Sequence, residues 1–455
     1  MNPSKMNKRF ILSLTCVICT LALLVYIGLM PGADGSNMTA DTRSTYSVSI
    51  ETHHVTNWHS SLFMYEGIAV KCIFALLGIK LSGAEVIRIM GICATFLSLS
   101  SIAYVLSLFN GSTKKYLCCY TLAMFIIFAN DSYSLWGLDQ FFTHVSITLI
   151  AVIVALYSTN SDKLKICLSI LILILLWNCC AFRKNSILSA PLVISAIVLA
   201  FPKYRNWSYK KLIAAVGVLS MVFAIIFMPL VDVLFPVQQT KPITPMLISD
   251  VRIAAILEGE ENKLFETNLI DNKWGDTDYT ITAYWHPLRN KSLYPKLEKL
   301  YIQYWKEKPV TMMVAKGLQI FQFYYGGVIH HKLHKVVESS YPAVKNNPHA
   351  WKNVFSCNYT LSKIRWCTFI LLAVTAVISY KQLKCTSISG SLFDFIYVIV
   401  AAYCLLYACS FIVVTPTPDI RYLAPSVSIG QLGLMFWLGR LLNAGYHSYY
   451  QERTK

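Results

Sequence analysis

Several polar residues suited to group-transfer chemistry lie beside long apolar runs of the sequence. Asp41 follows the first run, Asp139 precedes a later one, Arg183 and Lys184 interrupt two more, and Arg421 precedes the last. A carboxylate can accept the proton of an attacking hydroxyl, and an arginine can bind a phosphate through two parallel hydrogen bonds. These residue types suit a reaction in which a hydroxyl displaces a phosphate leaving group.

The segment after the first apolar run concentrates such side chains. Asp34 and Glu51 are alternative acids to Asp41 within it, and Trp58-His59 follows. Aromatic rings offer stacking faces for sugars, and Trp58, Trp136, Tyr324 and Tyr325 are the candidates. For each ring taken singly, anchoring at a membrane interface is the competing interpretation.

The cationic residues also have a competing interpretation. Each can pair with lipid headgroups or with a nearby acid, as Arg421 can with Asp419. We favour a shared anionic ligand because all of them are predicted on one membrane face, where basic residues run against the usual orientation rule.

Composition places the chain in a membrane. Hydrophobic residues make up 55% of its 455 residues and charged residues only 14%, against about 25% charged in soluble domains. Several runs reach the ~20 apolar residues needed to cross a bilayer. Lys and Arg number 40 against 23 acids, and their short clusters between runs indicate membrane orientation and not nucleic-acid binding.

We predict an all-α polytopic fold with about ten transmembrane helices and both termini in the cytoplasm. Residues 62–79 are interrupted by Glu66 and Lys71, so they are expected to lie flat on the outer surface, because ionised groups are costly in lipid. If that helix lies flat, the basic loops between spans all fall on the cytoplasmic side, together with the N-terminus. The predicted spans lie near residues 10–30, 85–108, 116–130, 141–158, 166–182, 187–202, 212–235, 366–380, 391–414 and 422–439.

Three regions follow from this topology. Residues 1–235 form an N-terminal membrane module with spans 1–7 and the outer loop 31–84. Residues 236–364 form a mainly helical outer region, in which 309–328 is expected to be a juxtamembrane helix. Residues 365–455 carry spans 8–10.

The ordered motifs resemble those of the GT-C superfamily, the multi-span glycosyltransferases that use polyprenyl-phosphate sugars. An acid in the first outer loop (Asp41) precedes Asn57-Trp58-His59-Ser60-Ser61-Leu62, which is similar to an Asp/Asn-Trp-His-Pro-Pro-Leu stretch common in such proteins. The remaining motifs are Leu135-Trp136-Gly137-Leu138-Asp139, Phe182-Arg183-Lys184-Asn185 and Asp419-Ile420-Arg421-Tyr422-Leu423-Ala424-Pro425. Ser60-Ser61 departs from the Pro-Pro of the pattern, and the 236–364 region matches only in position and length.

The resemblance implies a role for each of these residues. Asp41 would be the general base and Asp139 the second acid. Arg183, Lys184, Arg421 and His59 would bind the donor phosphate. Glu51, Trp58, Trp136, Tyr324 and Tyr325 would contact the acceptor or the sugar. No cofactor is firmly implied and no metal ligands are named. A divalent cation stays open, since some members of the superfamily use one, but the ligand spacing does not support it.

The resemblance further implies an inverting hexosyltransferase in the bacterial inner membrane with its active site on the periplasmic face. It would move a sugar from undecaprenyl phosphate to a cell-surface glycan such as O-antigen, and a serotype-converting glucosyltransferase is one such enzyme. A synthase and a flippase for the donor would be its pathway partners.

Two other classes stay open. An O-antigen or polysaccharide polymerase also has many spans and a large outer loop, but it would not need Asp41 and Trp58-His59. A transporter of lipid-linked glycans would place polar residues near the bilayer midplane, where the predicted spans carry few.

Overall fold

The computed structural model describes residues 11–12, 14–22, 42–56, 60–108, 113–130, 137–205, 207–238, 241, 243–260, 262–266, 269, 293–325, 330–346, 359–385, 392–413 and 422–453. Within these ranges the chain is almost entirely helical and contains no β-strand. The prediction of an all-α membrane protein is confirmed at this level.

The α-helices are numbered in chain order. They are α1 Val48–Thr52, α2 Ser61–Leu76, α3 Gly83–Ser107, α4 Thr113–Asn130, α5 Leu138–Ser158, α6 Asp162–Phe182, α7 Ala190–Ala200, α8 Pro202–Arg205, α9 Tyr209–Phe227, α10 Leu230–Leu234, α11 Thr244–Glu258, α12 Asn262–Glu266, α13 Tyr294–Glu307, α14 Pro309–Tyr325, α15 His330–Ser340, α16 Tyr359–Cys385, α17 Leu392–Val413 and α18 Ala424–Arg453. A π-helical segment, Thr42–Ser47, precedes α1, and 3₁₀ helices occupy Lys184–Ser189 and Pro342–Asn346.

Five helical segments in the described part of the chain are long and apolar enough to cross a membrane. They are Gly83–Ser107, Leu138–Ser158, Asp162–Phe182, Tyr209–Leu234 and Phe393–Ile412. Shorter apolar helical stretches, Lys115–Ile127, Lys184–Ala200 and Cys367–Leu383, fall on three further predicted spans. The total of ten spans stays a prediction, as does the flat orientation of 62–79, which falls on α2.

Contacts divide the chain into two compact units. The first comprises Met1–Gln238, Thr368–Ala408 and Arg421–Lys455, and the second comprises Gln239–Cys367 and Cys409–Ile420. In the first unit, α5 packs most extensively, against α6 and α3. Most of its surface is buried, whereas α9 is largely exposed, as expected of a helix that faces lipid.

The second unit has its own hydrophobic core. Helix α11 packs against α13 and α14, and Leu257, Leu297 and Met312 are among the residues buried between them. α14 begins at Pro309, as its sequence predicts, and Lys316 in its middle contacts the buried Asp250 of α11 at 3.4 Å. One face of α14 therefore belongs to a protein core, and its placement at a membrane surface stays a prediction.

The start of α2 is fixed by the two serines, Ser60 and Ser61, that stand where the resembling pattern has Pro-Pro. The hydroxyl of Ser60 accepts a hydrogen bond from the backbone N–H of Phe63 at 3.1 Å and caps the helix. The hydroxyl of Ser61 donates to Asp232 of α10 at 2.6 Å. Proline can make neither bond, so the two serines fix the turn by a different route.

Candidate functional site

The candidate site is centred on an ion pair between Arg183 and Asp139. The guanidinium Nη2 of Arg183 donates to Oδ1 of Asp139, and the two side chains are only 18% and 16% exposed. Both residues were predicted as site residues from sequence, and the fold brings them together.

Local structure holds the arginine backbone in place. The N–H of Arg183 donates to the carbonyl of Cys179 and ends α6, and its own carbonyl accepts from the N–H and the hydroxyl of Ser186. Arg183 itself has an extended backbone between α6 and the following 3₁₀ helix. One extended residue therefore separates two helical segments, and it projects the guanidinium from their junction.

Asp139 lies in the first turn of α5, two residues after Gly137 at the helix N-cap. The positive end of a helix dipole favours a carboxylate at this position. The antiparallel contact of α5 with α6 then sets Asp139 beside Arg183, because the start of one helix meets the end of the other.

Aromatic residues surround the pair. The Arg183 guanidinium lies over the Tyr422 ring, 4.8 Å from its centroid. Tyr46 and Tyr407 are both almost fully buried and lie near the charge of Arg183. Burial alone would lower the pKa of Arg183, but the carboxylate of Asp139 outweighs it and raises the pKa. The guanidinium therefore stays charged in this buried place.

The Nε of Arg183 is buried and has no hydrogen-bond partner among the described residues. A buried unsatisfied donor costs about 1–3 kcal/mol. Arginine is suited to bind an anion through two donors of its planar fork. The site thus combines a fixed positive charge, an Nε–H group that no described residue accepts from, and aromatic neighbours.

The segment that follows Asp41 in sequence is fixed beside the pair. Tyr46 packs edge-on against Phe63 with ring centroids 5.3 Å apart, and Phe63 in turn contacts Phe141 of α5 and Phe182 of α6. These aromatic contacts join the π-helical segment Thr42–Ser47 to the ends of the two helices that carry Asp139 and Arg183.

The same segment is fixed to α3. The carboxylate of Glu51 accepts a hydrogen bond from the N–H of Gly83 at 3.0 Å, at the start of that helix. A Cβ at Gly83 would lie only 2.2 Å from the carbonyl oxygen of Ser47, so this approach requires glycine. The described contact of Glu51 is structural, and its predicted role in sugar binding stays a prediction.

The other predicted site residues are placed as follows. Lys184 is exposed, and Tyr324 and Tyr325 form the last turn of α14 in the second unit. Asp41, Trp58, His59, Trp136 and Arg421 lie outside the described residues. The predicted roles of all these residues therefore stay predictions.

Sequence reasoning missed Tyr46, Tyr407 and the buried His144. Tyr46 lies five residues after Asp41 and His144 five residues after Asp139, so proximity to predicted residues is the signal that could have found these two. No such signal in the sequence points to Tyr407. His144 is 1% exposed, and its ring nitrogens lie 2.7 Å from the hydroxyl of Ser98 and 3.1 Å from that of Thr95. This polar cluster lies inside predicted spans that otherwise carry few such groups.

No three side chains of His, Cys, Asp and Glu in the described ranges come together in a way that could hold a metal ion. Comparison with known proteins gives no match to a protein-family model, a curated protein or a solved structure. The function is therefore argued from the site itself.

Proposed function

We propose that the protein is a membrane glycosyltransferase that takes a sugar from a polyprenyl-phosphate donor and adds it to a glycan. The observation that carries the proposal is the buried Arg183, which is fixed by Asp139 and lies over Tyr422, and whose Nε has no hydrogen-bond partner among the described residues. A charged arginine at the end of a long apolar helix can bind the phosphate of a lipid-linked donor.

The proposed reaction is a single displacement. The acceptor hydroxyl oxygen forms a bond to the anomeric carbon as the bond from that carbon to the phosphate oxygen breaks. The phosphate leaves with the electron pair, and the configuration at carbon inverts. Arg183 stabilises the charge that develops on the leaving phosphate, as preorganised donors do in other enzymes.

The base for the acceptor hydroxyl is assigned to Asp41. The support is its sequence position directly before the π-helical segment Thr42–Ser47, whose Tyr46 packs on Phe63 beside the ends of α5 and α6. Asp139 is less suited to this role because its carboxylate is bound to Arg183. We assign Asp139 to holding the arginine in place for the phosphate.

The remaining features of the proposal rest on the resemblance. They are undecaprenyl phosphate as the carrier, a cell-surface glycan such as O-antigen as the acceptor, and a periplasmic active site in the bacterial inner membrane. The membrane itself is supported by the long apolar helices.

The test is transfer in vitro by the purified full-length protein from polyprenyl-phosphate sugars to glycan acceptors. Asp41→Asn should lower kcat by ~10²–10⁴-fold, as expected for a missing general base. Asp34→Asn is the matched control from the same loop and should transfer normally. Normal transfer by Asp41→Asn would overturn the base assignment, and no transfer by the wild type from any such donor would overturn the function.

A further inference from the structure

An apolar cavity of about 460 Å³ lies in the first unit between α3, α5, α17 and α18. This volume falls within the ~300–1,000 Å³ typical of ligand pockets. Its walls are almost wholly hydrocarbon and aromatic, with Val105, Ile147, Val154, Phe393, Val400 and Phe436 among them. We call it the apolar cavity.

The apolar cavity is about as long as one leaflet of a bilayer. Along α5 its lining extends from Ile147 to Ser158, the last residue of the helix, which is about 16 Å at ~1.5 Å per residue. A bilayer has a hydrocarbon core of ~30 Å, so this length matches one leaflet. Asp139 lies at the opposite end of α5, and the cavity is therefore separate from the candidate site.

The polar groups of the cavity are few, and two of the three side-chain hydroxyls that line it are already engaged. The hydroxyl of Tyr397 shares a 2.6 Å hydrogen bond with Thr375, and the hydroxyl of Ser158 donates to the carbonyl of Val154. A sugar or a peptide would lose its hydrogen bonds to water on entering such a space and would find few replacements. A hydrocarbon chain loses none.

Basic residues flank the end of α5 at which the cavity ends. The guanidinium of Arg440 lies over the ring of Phe393, a lining residue, 4.8 Å from its centroid, and its charge is balanced by the buried Asp394 at 2.6 Å. Lys163, just beyond Ser158, is exposed, and so are Lys203 and Arg205 of α8. Tyr157 donates to the carbonyl of Ala196 in α7, which leads into α8 and places its cations at this end. Exposed cations near a membrane surface attract anionic lipid headgroups.

We propose that the apolar cavity binds one acyl chain of an anionic phospholipid from the leaflet on the Ser158 side. The length of the cavity and its hydrocarbon lining match an acyl chain that spans one leaflet. The cations at the rim match an anionic headgroup. The proposal does not depend on the glycosyltransferase assignment, because the two sites lie at opposite ends of α5.

The test uses the full-length protein in nanodiscs with phospholipids that carry a diazirine at the end of one acyl chain. After photolysis, mass spectrometry maps the crosslinks. A phosphatidylglycerol probe should label the peptides that contain Val154 and Phe393 at least about threefold more than a phosphatidylcholine probe. Equal labelling by both probes would overturn the anionic assignment.

Two variants test the cavity itself. Val154→Trp fills it, and Ser158→Trp adds bulk at its Ser158 end with less risk to folding, so each should lower labelling of Phe393 at least about fivefold. Ile225→Trp on the exposed face of α9, where Ile225 is 65% exposed, is the matched control and should leave that labelling unchanged. Wild-type labelling in Ser158→Trp, or labelling only by a polyprenyl-phosphate probe, would overturn the proposal.

Discussion

Two buried or half-buried charge clusters differ in what they leave unsatisfied. In the second unit, Lys308 binds Glu258 at 3.1 Å and Glu260 at 2.7 Å. Glu260 also accepts from Tyr304 at 2.9 Å, and Glu258 accepts from the hydroxyl of Thr311. In the first unit, Arg183 has one carboxylate partner and a buried Nε without a hydrogen bond in the described structure.

This difference separates a structural cluster from a candidate binding site. The Lys308 cluster joins the end of α11 to the start of α14, and its acceptors are shared among several donors. Gly259 makes this arrangement possible, because its φ of +70° reverses the chain and sets Glu258 and Glu260 on either side of the turn. The Arg183 pair has aromatic neighbours and a donor that no described residue engages, and both features suit the binding of an anion.

The largest expected change in the free energy of unfolding comes from Arg183→Ala. It leaves Asp139 buried without its partner, which should destabilise the first unit by about 3–5 kcal/mol. Thermal unfolding in detergent, followed by circular dichroism, measures this loss. The double variant Arg183→Met with Asp139→Leu should recover most of the stability, because an apolar pair can replace a buried ion pair.

Other substitutions of Arg183 separate a role in phosphate binding from a role in stability. Arg183→Lys keeps the charge but loses the planar fork, so kcat for transfer should fall by ~10²–10³-fold, as when one donor to a developing anion is removed. The folded double variant should also fail to transfer. Wild-type transfer by either protein would show that Arg183 is only a structural residue and would remove the contrast between the two clusters.

A smaller effect is expected from Lys308→Met. Its loss removes the hydrogen bonds to two carboxylates and should destabilise the second unit by about 1–3 kcal/mol. The KM for the donor should not change, because the cluster is assigned a structural role. Hydrogen exchange of the α11 and α14 amides measures the stability, and Lys296→Met on the same unit is the control. A raised donor KM in Lys308→Met would contradict the structural assignment.

The smallest expected effect is the pH dependence of the stability that Glu260 contributes. Burial alone would raise the pKa of Glu260, but hydrogen bonds from Lys308, Lys263 and Tyr304 outweigh it and lower the pKa from 4.5 to about 2. The stability that Glu260 contributes is therefore complete above about pH 4.5 and is lost as pH falls toward 2. Glu260→Gln should be less stable than the wild type at pH 7 and should converge with it near pH 2. A constant difference across that range would show that the glutamate charge contributes nothing.

Sequence patterns predicted the helical class and several helix positions because apolar length is a local property. The predicted span 141–158 lies within α5, and 166–182 lies within α6. Asp139 and Arg183 were singled out because charges next to apolar runs are conspicuous in sequence. Their mutual contact was not predicted, since it depends on how two antiparallel helices align at their ends.

Other assignments needed the fold as well. Glu51 is an exposed acid by sequence, but its hydrogen bond to Gly83 depends on the approach of two segments more than thirty residues apart. Lys316 suggested a helix at the membrane surface, and that placement stays a prediction. The partner of Lys316, Asp250 of the second unit, was not predicted. A charge pattern along one helix does not specify which acid from another helix will meet it.

The sequence by itself determined that the chain is helical and membrane-embedded, because burial of apolar runs in lipid depends on their length and composition alone. The tertiary structure decided which charged residues form ion pairs, as Arg183 does with Asp139. It packed Tyr46, Tyr407 and Tyr422 around Arg183, and it placed the apolar cavity at the far end of α5. Such sites form from residues distant in sequence, and only packing between helices brings them together.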